Sequence, residues 1–196
     1  MRFYKFISTT LHPIVLPTIV VMLYFLLSPG NFSSYKKLTI LSLIFTVTYL
    51  IPLLILILFK KLRIIKNYQT DSIKERKLPI AFMIVIFYLL GNTIDNIGSL
   101  RVLFYGTSLG LILIYLLFFF KIKASIHLLS LGISVGFFMI MSSIYSQPYI
   151  VLTIIFFLIS GVLASARLHL KAHTSREVYI GFFIGLIAPL LVSFIL

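Results

Sequence analysis

The sequence ARLHLKAHTSREVYIG, residues 166–181, separates two long apolar runs near the C-terminus. It places arginine, histidine and carboxylate side chains beside segments rich in hydrocarbon, where an unpaired charge is costly and therefore indicates a functional site. His173 and Glu177 are four residues apart, so a continuous helix would put them on one face. In that arrangement the carboxylate orients the imidazole and raises its basicity.

The composition excludes a water-soluble fold. Of the 196 residues, 61% are hydrophobic and only 11% are charged, which leaves too little polar surface to cover a soluble core. The chain contains no cysteine, so it has no disulfide framework. The first five residues resemble the start of a signal peptide, but no small-residue cleavage site follows, and we interpret the first apolar run as a retained span. The sequence therefore predicts an integral membrane protein.

Seven apolar runs approach the roughly 20 residues that cross about 30 Å of hydrocarbon. They predict an all-α fold, a polytopic transmembrane helix bundle of six to seven spans, in a single domain covering residues 1–196. The range in the count comes from the third run, because residues 91–96 are polar enough to form a turn or a re-entrant tip. The candidate spans are 11–29, 38–59, 79–98, 102–120, 126–145, 149–166 and 178–196.

Seven spans would place the polar segments 60–77, 121–127 and 167–177 on one membrane face, because an even number of crossings separates them. Most lysines and arginines lie on that face, and the opposite face has only Lys36, Lys37 and Arg101. The positive-inside rule then makes the polar face cytoplasmic, and we expect the inner (plasma) membrane of a bacterium. The net charge of +13 lies in short loops beside the membrane. Anionic lipids and phosphate are therefore better partners than nucleic acid, and no protein partner is predicted.

Three short motifs carry a resemblance to the type 2 phosphatidic acid phosphatase superfamily. Arg167, His173 and Glu177 follow the spacing of its third signature, Ser-Arg-x5-His-x3-Asp. The second signature, Pro-Ser-Gly-His, is similar to residues 124–127, which include Ser125 and His127. The first signature, Lys-x6-Arg-Pro, is the most degenerate, since residues 74–79 keep an arginine and a proline that are not adjacent.

This resemblance implies a lipid phosphatase that works without a metal ion or cofactor, through a phosphohistidine intermediate. It makes His173 the nucleophile, Glu177 the carboxylate that orients it, and His127 the acid that protonates the leaving oxygen. The substrate would be a lipid phosphate of the phosphatidic acid, phosphatidylglycerophosphate or polyprenyl phosphate type. The residues that would bind its phosphate are Arg167, Arg76, Ser125, Lys123 and Lys74. The chemistry is sound in itself, because imidazoles serve as nucleophile and acid near pH 7 and guanidinium groups match phosphate oxygens.

Other interpretations remain open. The substitutions in the motifs are compatible with a catalytically lapsed relative that still binds lipid phosphate. A helical stripe of His169, His173 and Glu177 is a rival metal site, although the nearby Arg167 adds positive charge where a cation would bind. A channel or transporter is disfavoured by the absence of charges in the middle of the spans and of an inverted repeat. His12, before Pro13, is interpreted as structural.

Overall fold

The computed structural model describes residues 1–27, 32–65, 72–94, 97–145 and 149–196. Within these ranges the chain forms eight helices and no strand, which confirms the all-α fold class. In chain order the helices are α1 (Arg2–Thr10), α2 (Leu16–Leu27), α3 (Ser34–Lys61), α4 (Ile73–Thr93), α5 (Gly98–Phe120), α6 (Ile126–Tyr145), α7 (Tyr149–His169) and α8 (Ser175–Ser193).

Five of these helices are long and apolar enough to cross a membrane, namely α3, α5, α6, α7 and α8. Each has 18 residues or more, close to the length that about 30 Å of hydrocarbon requires at roughly 1.5 Å per residue. The described part of the chain is thus compatible with an integral membrane protein. The expected count of six to seven spans is not confirmed.

The predicted span 11–29 begins later than expected. Residues 11–15 form a turn around Pro13, so α2 begins only at Leu16. Its described part, Leu16–Leu27, has 12 residues and covers about 18 Å, and residues 28 and 29 of the predicted span lie outside the described residues. The N-terminal residues before this turn form the separate helix α1, which the sequence analysis did not predict.

The predicted span 79–98 also has different limits. Helix α4 begins at Ile73, where the Ser72 hydroxyl accepts a hydrogen bond from the Glu75 backbone N–H and caps the helix. Its first turns consequently carry charged side chains rather than hydrocarbon. The polar segment 91–96 forms no turn before residue 94, because the helix continues to Thr93. Residues 95 and 96 lie outside the described residues.

Helix α6 forms the centre of the bundle, with 67% of its apolar window buried, more than in any other of the five spans. It runs parallel to α8, and the two backbones approach closely at glycines. A Cβ atom at Gly181 would overlap the Ser125 carbonyl, and one at Gly136, further along α6, would overlap the Leu186 carbonyl, further along α8. Small residues allow this close approach between membrane helices. Because the two helices are parallel, both start at the same end of the bundle.

Helices α4 and α5 pack antiparallel. The Lys77 ammonium lies 5.5 Å from the centre of the Phe119 ring, and the Tyr105 hydroxyl donates a hydrogen bond of 3.1 Å to the Asn92 side chain. The first contact joins the start of α4 to the end of α5, and the second joins their opposite ends.

Two hydrogen bonds bring the polar segments together. The Ser125 N–H donates to the Glu177 carbonyl at 2.9 Å, which joins the start of α6 to the start of α8. The Arg76 guanidinium donates to the Ala124 carbonyl at 3.3 Å, which adds the start of α4. The regions around residues 76, 125 and 177 therefore meet at one end of the bundle.

Candidate active site

A cavity of about 730 Å³ lies at the end of the bundle where these segments meet. Five parts of the chain contribute to its polar wall: the N-terminal segment, the start of α4, the start of α6, the end of α7 and the turn before α8. None of the described residues that line it is acidic, so the cavity is suited to an anion. The charged and histidine side chains that line it are Lys5, His12, Arg76, Lys123, His127, Arg167, Lys171 and His173.

His173 and Glu177 form the central contact of this region. The His173 Nδ1 lies 2.6 Å from the Glu177 Oε2, and the histidine side chain is only 2% exposed. With a carboxylate as the acceptor, Nδ1 carries the proton and donates it, so Nε2 keeps its lone pair. This leaves one nitrogen of a cavity-lining histidine available for nucleophilic attack.

The sequence analysis expected this contact to lie across one turn of a continuous helix, but His173 is not part of a helix. Thr174 is extended and its hydroxyl accepts a hydrogen bond from the Glu177 N–H at 3.3 Å, so α8 begins at Ser175 and His173 precedes it. The Thr-x-x-Glu pattern is a capping box, in which the glutamate usually reaches back to the backbone of the cap residue. Here its carboxylate binds the histidine before the cap instead.

The environment lowers the pKa of His173, which favours the neutral ring. Burial lowers the pKa of His173 below the usual value of histidine, the hydrogen bond to Glu177 acts in the opposite direction, and the charges of Arg167 and Arg76 lower the pKa further. Desolvation and nearby positive charge both disfavour the imidazolium form. A neutral ring is the form that can act as a nucleophile at pH 7.

Two arginines contribute guanidinium groups to the cavity. Arg167 projects from the last turn of α7 and donates a hydrogen bond of 2.8 Å to the Ser8 hydroxyl through Nη1. Its Nε is buried and has no hydrogen-bond partner among the described residues. Arg76, which is 8% exposed, is positioned by its bond to the Ala124 carbonyl. A buried donor without a partner is costly, so the Nε–H of Arg167 is suited to an anionic ligand.

The second motif places its two matching residues differently. His127 lies in the first turn of α6 and lines the cavity together with His173. Ser125 is completely buried behind the cavity wall, and its hydroxyl has no hydrogen-bond partner among the described residues. Ser125, a predicted phosphate-binding residue, therefore does not contribute to the described lining of the cavity.

The two predicted phosphate-binding lysines, Lys123 and Lys74, and the neighbouring Lys77 lie in different places. Lys123 lines the cavity. Lys77 faces the Phe119 ring, and Lys74 is exposed on the first turn of α4 and does not contribute to the described lining. The structure thus brings Lys123 to the cavity and leaves Lys74, a predicted phosphate-binding residue, outside it.

The rival metal stripe does not form. Helix α7 ends at His169, whose ring stacks on Tyr4 with 4.4 Å between the ring centres. His173 follows in the turn before α8, so the two histidines and Glu177 do not share one continuous helix face. The stripe is interrupted because α7 ends at His169 and α8 begins only at Ser175.

The cavity continues into the apolar interior. Beyond the charged end, Met83 and Phe87 of α4 and Leu103 and Thr107 of α5 form its walls. Phe87 lies eleven residues, about 16 Å of helix, from Arg76. One end of the cavity is therefore basic, and the remainder is lined mainly by hydrocarbon.

Several lining residues were not identified as site residues from the sequence, among them Ser8 and His12. Ser8 lies on α1, and His12 follows α1 in the turn before α2, where we interpreted it as structural; both line the cavity. In the sequence, the position of His12 beside Pro13 indicated only a turn, and nothing around Ser8 indicated a functional site. Both reach the cavity through contacts with distant parts of the chain.

Comparison of the chain with protein-family models, with curated proteins and with solved structures found no match. The functional interpretation consequently depends on the geometry of the cavity and on the motifs in the sequence.

Proposed function

We propose that this chain is a membrane lipid phosphatase that hydrolyses a phosphate monoester or diphosphate through a phosphohistidine intermediate, without a metal ion. The observation that carries the proposal is the 2.6 Å contact between His173 and Glu177 in a cavity that also contains a second histidine and two arginines. This combination supplies a nucleophile, the group that orients it, an acid and a phosphate clamp.

The reaction takes place in two steps. His173 Nε2 attacks phosphorus, so that an N–P bond forms as the bond from phosphorus to the leaving oxygen breaks, and His127 gives its proton to that oxygen. Water then attacks phosphorus and gives a proton to His127, and the N–P bond breaks to release phosphate. Arg76 and Arg167 stabilise the charge on the phosphoryl oxygens in both steps.

The shape of the cavity supports a lipid substrate. A phosphate at the basic end would place the attached hydrocarbon along Met83, Phe87 and Leu103. Burial of apolar surface contributes roughly 25 cal/mol per Å², so this region favours an amphiphile over a soluble phosphate ester. Phosphatidic acid, phosphatidylglycerophosphate and polyprenyl phosphates all have the required chemistry.

We place the site on the cytoplasmic side of a bacterial inner membrane, because most lysines and arginines lie in segments that meet at this end of the bundle. Helix α4 has 21 residues, and we propose that it crosses the membrane beside the five apolar helices. Its charged first turns would then lie at the cytoplasmic interface.

A catalytically lapsed lipid-phosphate-binding protein is the second candidate. Ile126 occupies the position where the family has a glycine that lets phosphate approach the backbone, and Lys74 lies outside the cavity. Such a protein would keep Arg76 and Arg167 for binding but would not turn over.

The test is release of phosphate from vesicles containing phosphatidic acid, phosphatidylglycerophosphate or polyprenyl diphosphate by purified protein in the presence of a chelator. We expect turnover by the wild type, and none by His173→Ala, because no other group would form the covalent intermediate. His127→Ala should lose roughly 10²–10⁴ in rate, the usual contribution of a general acid.

His169→Ala is the matched control, because it removes a histidine that does not contribute to the described lining. We expect it to keep wild-type activity within about twofold, since it acts on no reacting atom. Lipid-phosphate binding without turnover would favour the lapsed protein. Activity that disappears with chelator and returns with zinc would contradict the phosphohistidine mechanism.

A further inference from the structure

The N-terminal segment supplies a hydrogen bond to the phosphate clamp. Ser8 is buried, at 7% exposed, although it lies on a helix whose Phe3 and Phe6 are about two-thirds exposed, at 68% and 69%. Its hydroxyl accepts the 2.8 Å hydrogen bond from Nη1 of Arg167, 159 residues away in the sequence. A buried hydroxyl of α1 is thus the observed partner of a guanidinium on α7.

The same segment also contacts the second histidine of the cavity. The rings of His12 and His127 pack edge to face, with 5.1 Å between their centres and 79° between their planes. The Nδ1 of His12 accepts a hydrogen bond of 3.4 Å from the Ile14 N–H, which restrains the ring within its own turn. Restrained in this way, His12 forms a wall against one side of His127.

We propose that residues 8–12 form a positioning element of the phosphate site, in which Ser8 fixes the guanidinium of Arg167 and His12 fixes the ring of His127. The inference rests on the proposed function for its catalytic part, and only on anion binding for the part that concerns Ser8. Arg167 has a long side chain, which loses rotamer freedom when it is ordered. A contact that orders it before phosphate binds reduces that cost at the moment of binding.

The first experiment measures the affinity of inorganic phosphate for the purified full-length chain by titration calorimetry. Ser8→Ala should weaken this affinity about tenfold, because the hydrogen bond that orients a charged group is lost. Ser8→Thr keeps the hydroxyl and should restore most of the affinity. Thr10→Ala is the matched control, because its hydroxyl is on the same helix and, among the described residues, donates to the Phe6 carbonyl rather than to a cavity side chain.

The second experiment separates kcat from KM on vesicles containing phosphatidic acid. His12→Ala should lower kcat about tenfold and change KM little, since the acid of the reaction loses its orientation and the clamp does not. His12→Phe keeps an aromatic ring against His127 and should recover most of kcat. If His12→Phe is as poor as His12→Ala, a role based on ring packing is wrong.

The outcomes distinguish this inference from the proposed function. If Ser8→Ala and His12→Ala behave like Thr10→Ala in both experiments while the wild type turns over, the positioning role is wrong and the phosphatase proposal stands. If the wild type binds phosphate without turnover, the phosphatase proposal fails, and the loss of affinity in Ser8→Ala still supports or contradicts the role of Ser8. A wild type that neither binds phosphate nor releases it from lipid overturns both.

Discussion

At the scale of single residues, Glu177 joins three structural features at the start of α8. Its N–H is capped by the Thr174 hydroxyl, its carbonyl accepts from the Ser125 N–H, and its carboxylate binds His173. The sequence contained the signal for this arrangement, because Thr174-x-x-Glu177 is a capping box. The spacing of His173 and Glu177 correctly indicated a contact. It was attributed to one continuous helix, whereas Thr174 caps α8 between the two residues, so His173 precedes the helix.

The pH dependence of kcat/KM tests the His173 environment. In the proposed mechanism His173 must be neutral to attack, so activity should be lost as the pH falls through the pKa of His173. Burial lowers this pKa, which places the acid limb below the usual range of histidine. Glu177→Gln removes an interaction that raises the pKa, so the limb should move to lower pH while the maximum rate falls at least about tenfold.

Arg167→Gln should move the same limb in the opposite direction, because it removes a positive charge that lowers the pKa of His173. The measurement is a pH profile of kcat/KM for the wild type and both variants. Shifts of equal sign in the two variants would contradict the assignment of His173 as the titrating group.

At the scale of helices, the apolar runs predicted the five long apolar helices well, but not helix α1 or the limits of α4. Hydrophobic length identifies a helix that must satisfy its backbone in lipid, and this holds for α3 and for α5 to α8. It does not identify α1, which is short and depends on contacts with the rest of the chain. The limits of α4 were also missed, because its start is set by the Ser72 cap rather than by hydropathy.

The glycine contact between α6 and α8 yields a stability prediction. Gly132→Ala should destabilise the protein by about 2 kcal/mol, because the new methyl group meets the backbone of α8 and the helices must separate. Gly161→Ala is the control, since a Cβ there has no neighbour within 4 Å. Thermal unfolding in detergent measures both variants, and equal melting temperatures would contradict the close packing.

At the scale of the whole molecule, sequence reasoning brought the three motifs to one face by counting membrane crossings. It could not predict that Ser8 contacts Arg167, because no local pattern connects residues so far apart. Nor could it separate Lys123 from Lys74, since both follow the pattern of a basic residue near a motif and only the fold decides which one reaches the cavity.

The absence of cysteine from the chain allows a direct test of sidedness. Arg176 is exposed at the cavity end, and Lys36 is exposed at the opposite end, where it lies beside Thr93 and Ile94. With a cytoplasmic site, a membrane-impermeant maleimide should label Lys36→Cys in intact cells. It should label Arg176→Cys only in inverted vesicles, and the reverse pattern would place the site outside.

The parallel packing of α6 and α8 has an electrostatic consequence. Each helix carries a partial positive charge of about +0.5 at its N-terminus, and in a parallel pair these charges add at one end, whereas an antiparallel pair would cancel them. Helix α4 also begins at that end. The backbone itself therefore favours an anion in the cavity, and removal of a single arginine should weaken the binding of phosphate without abolishing it.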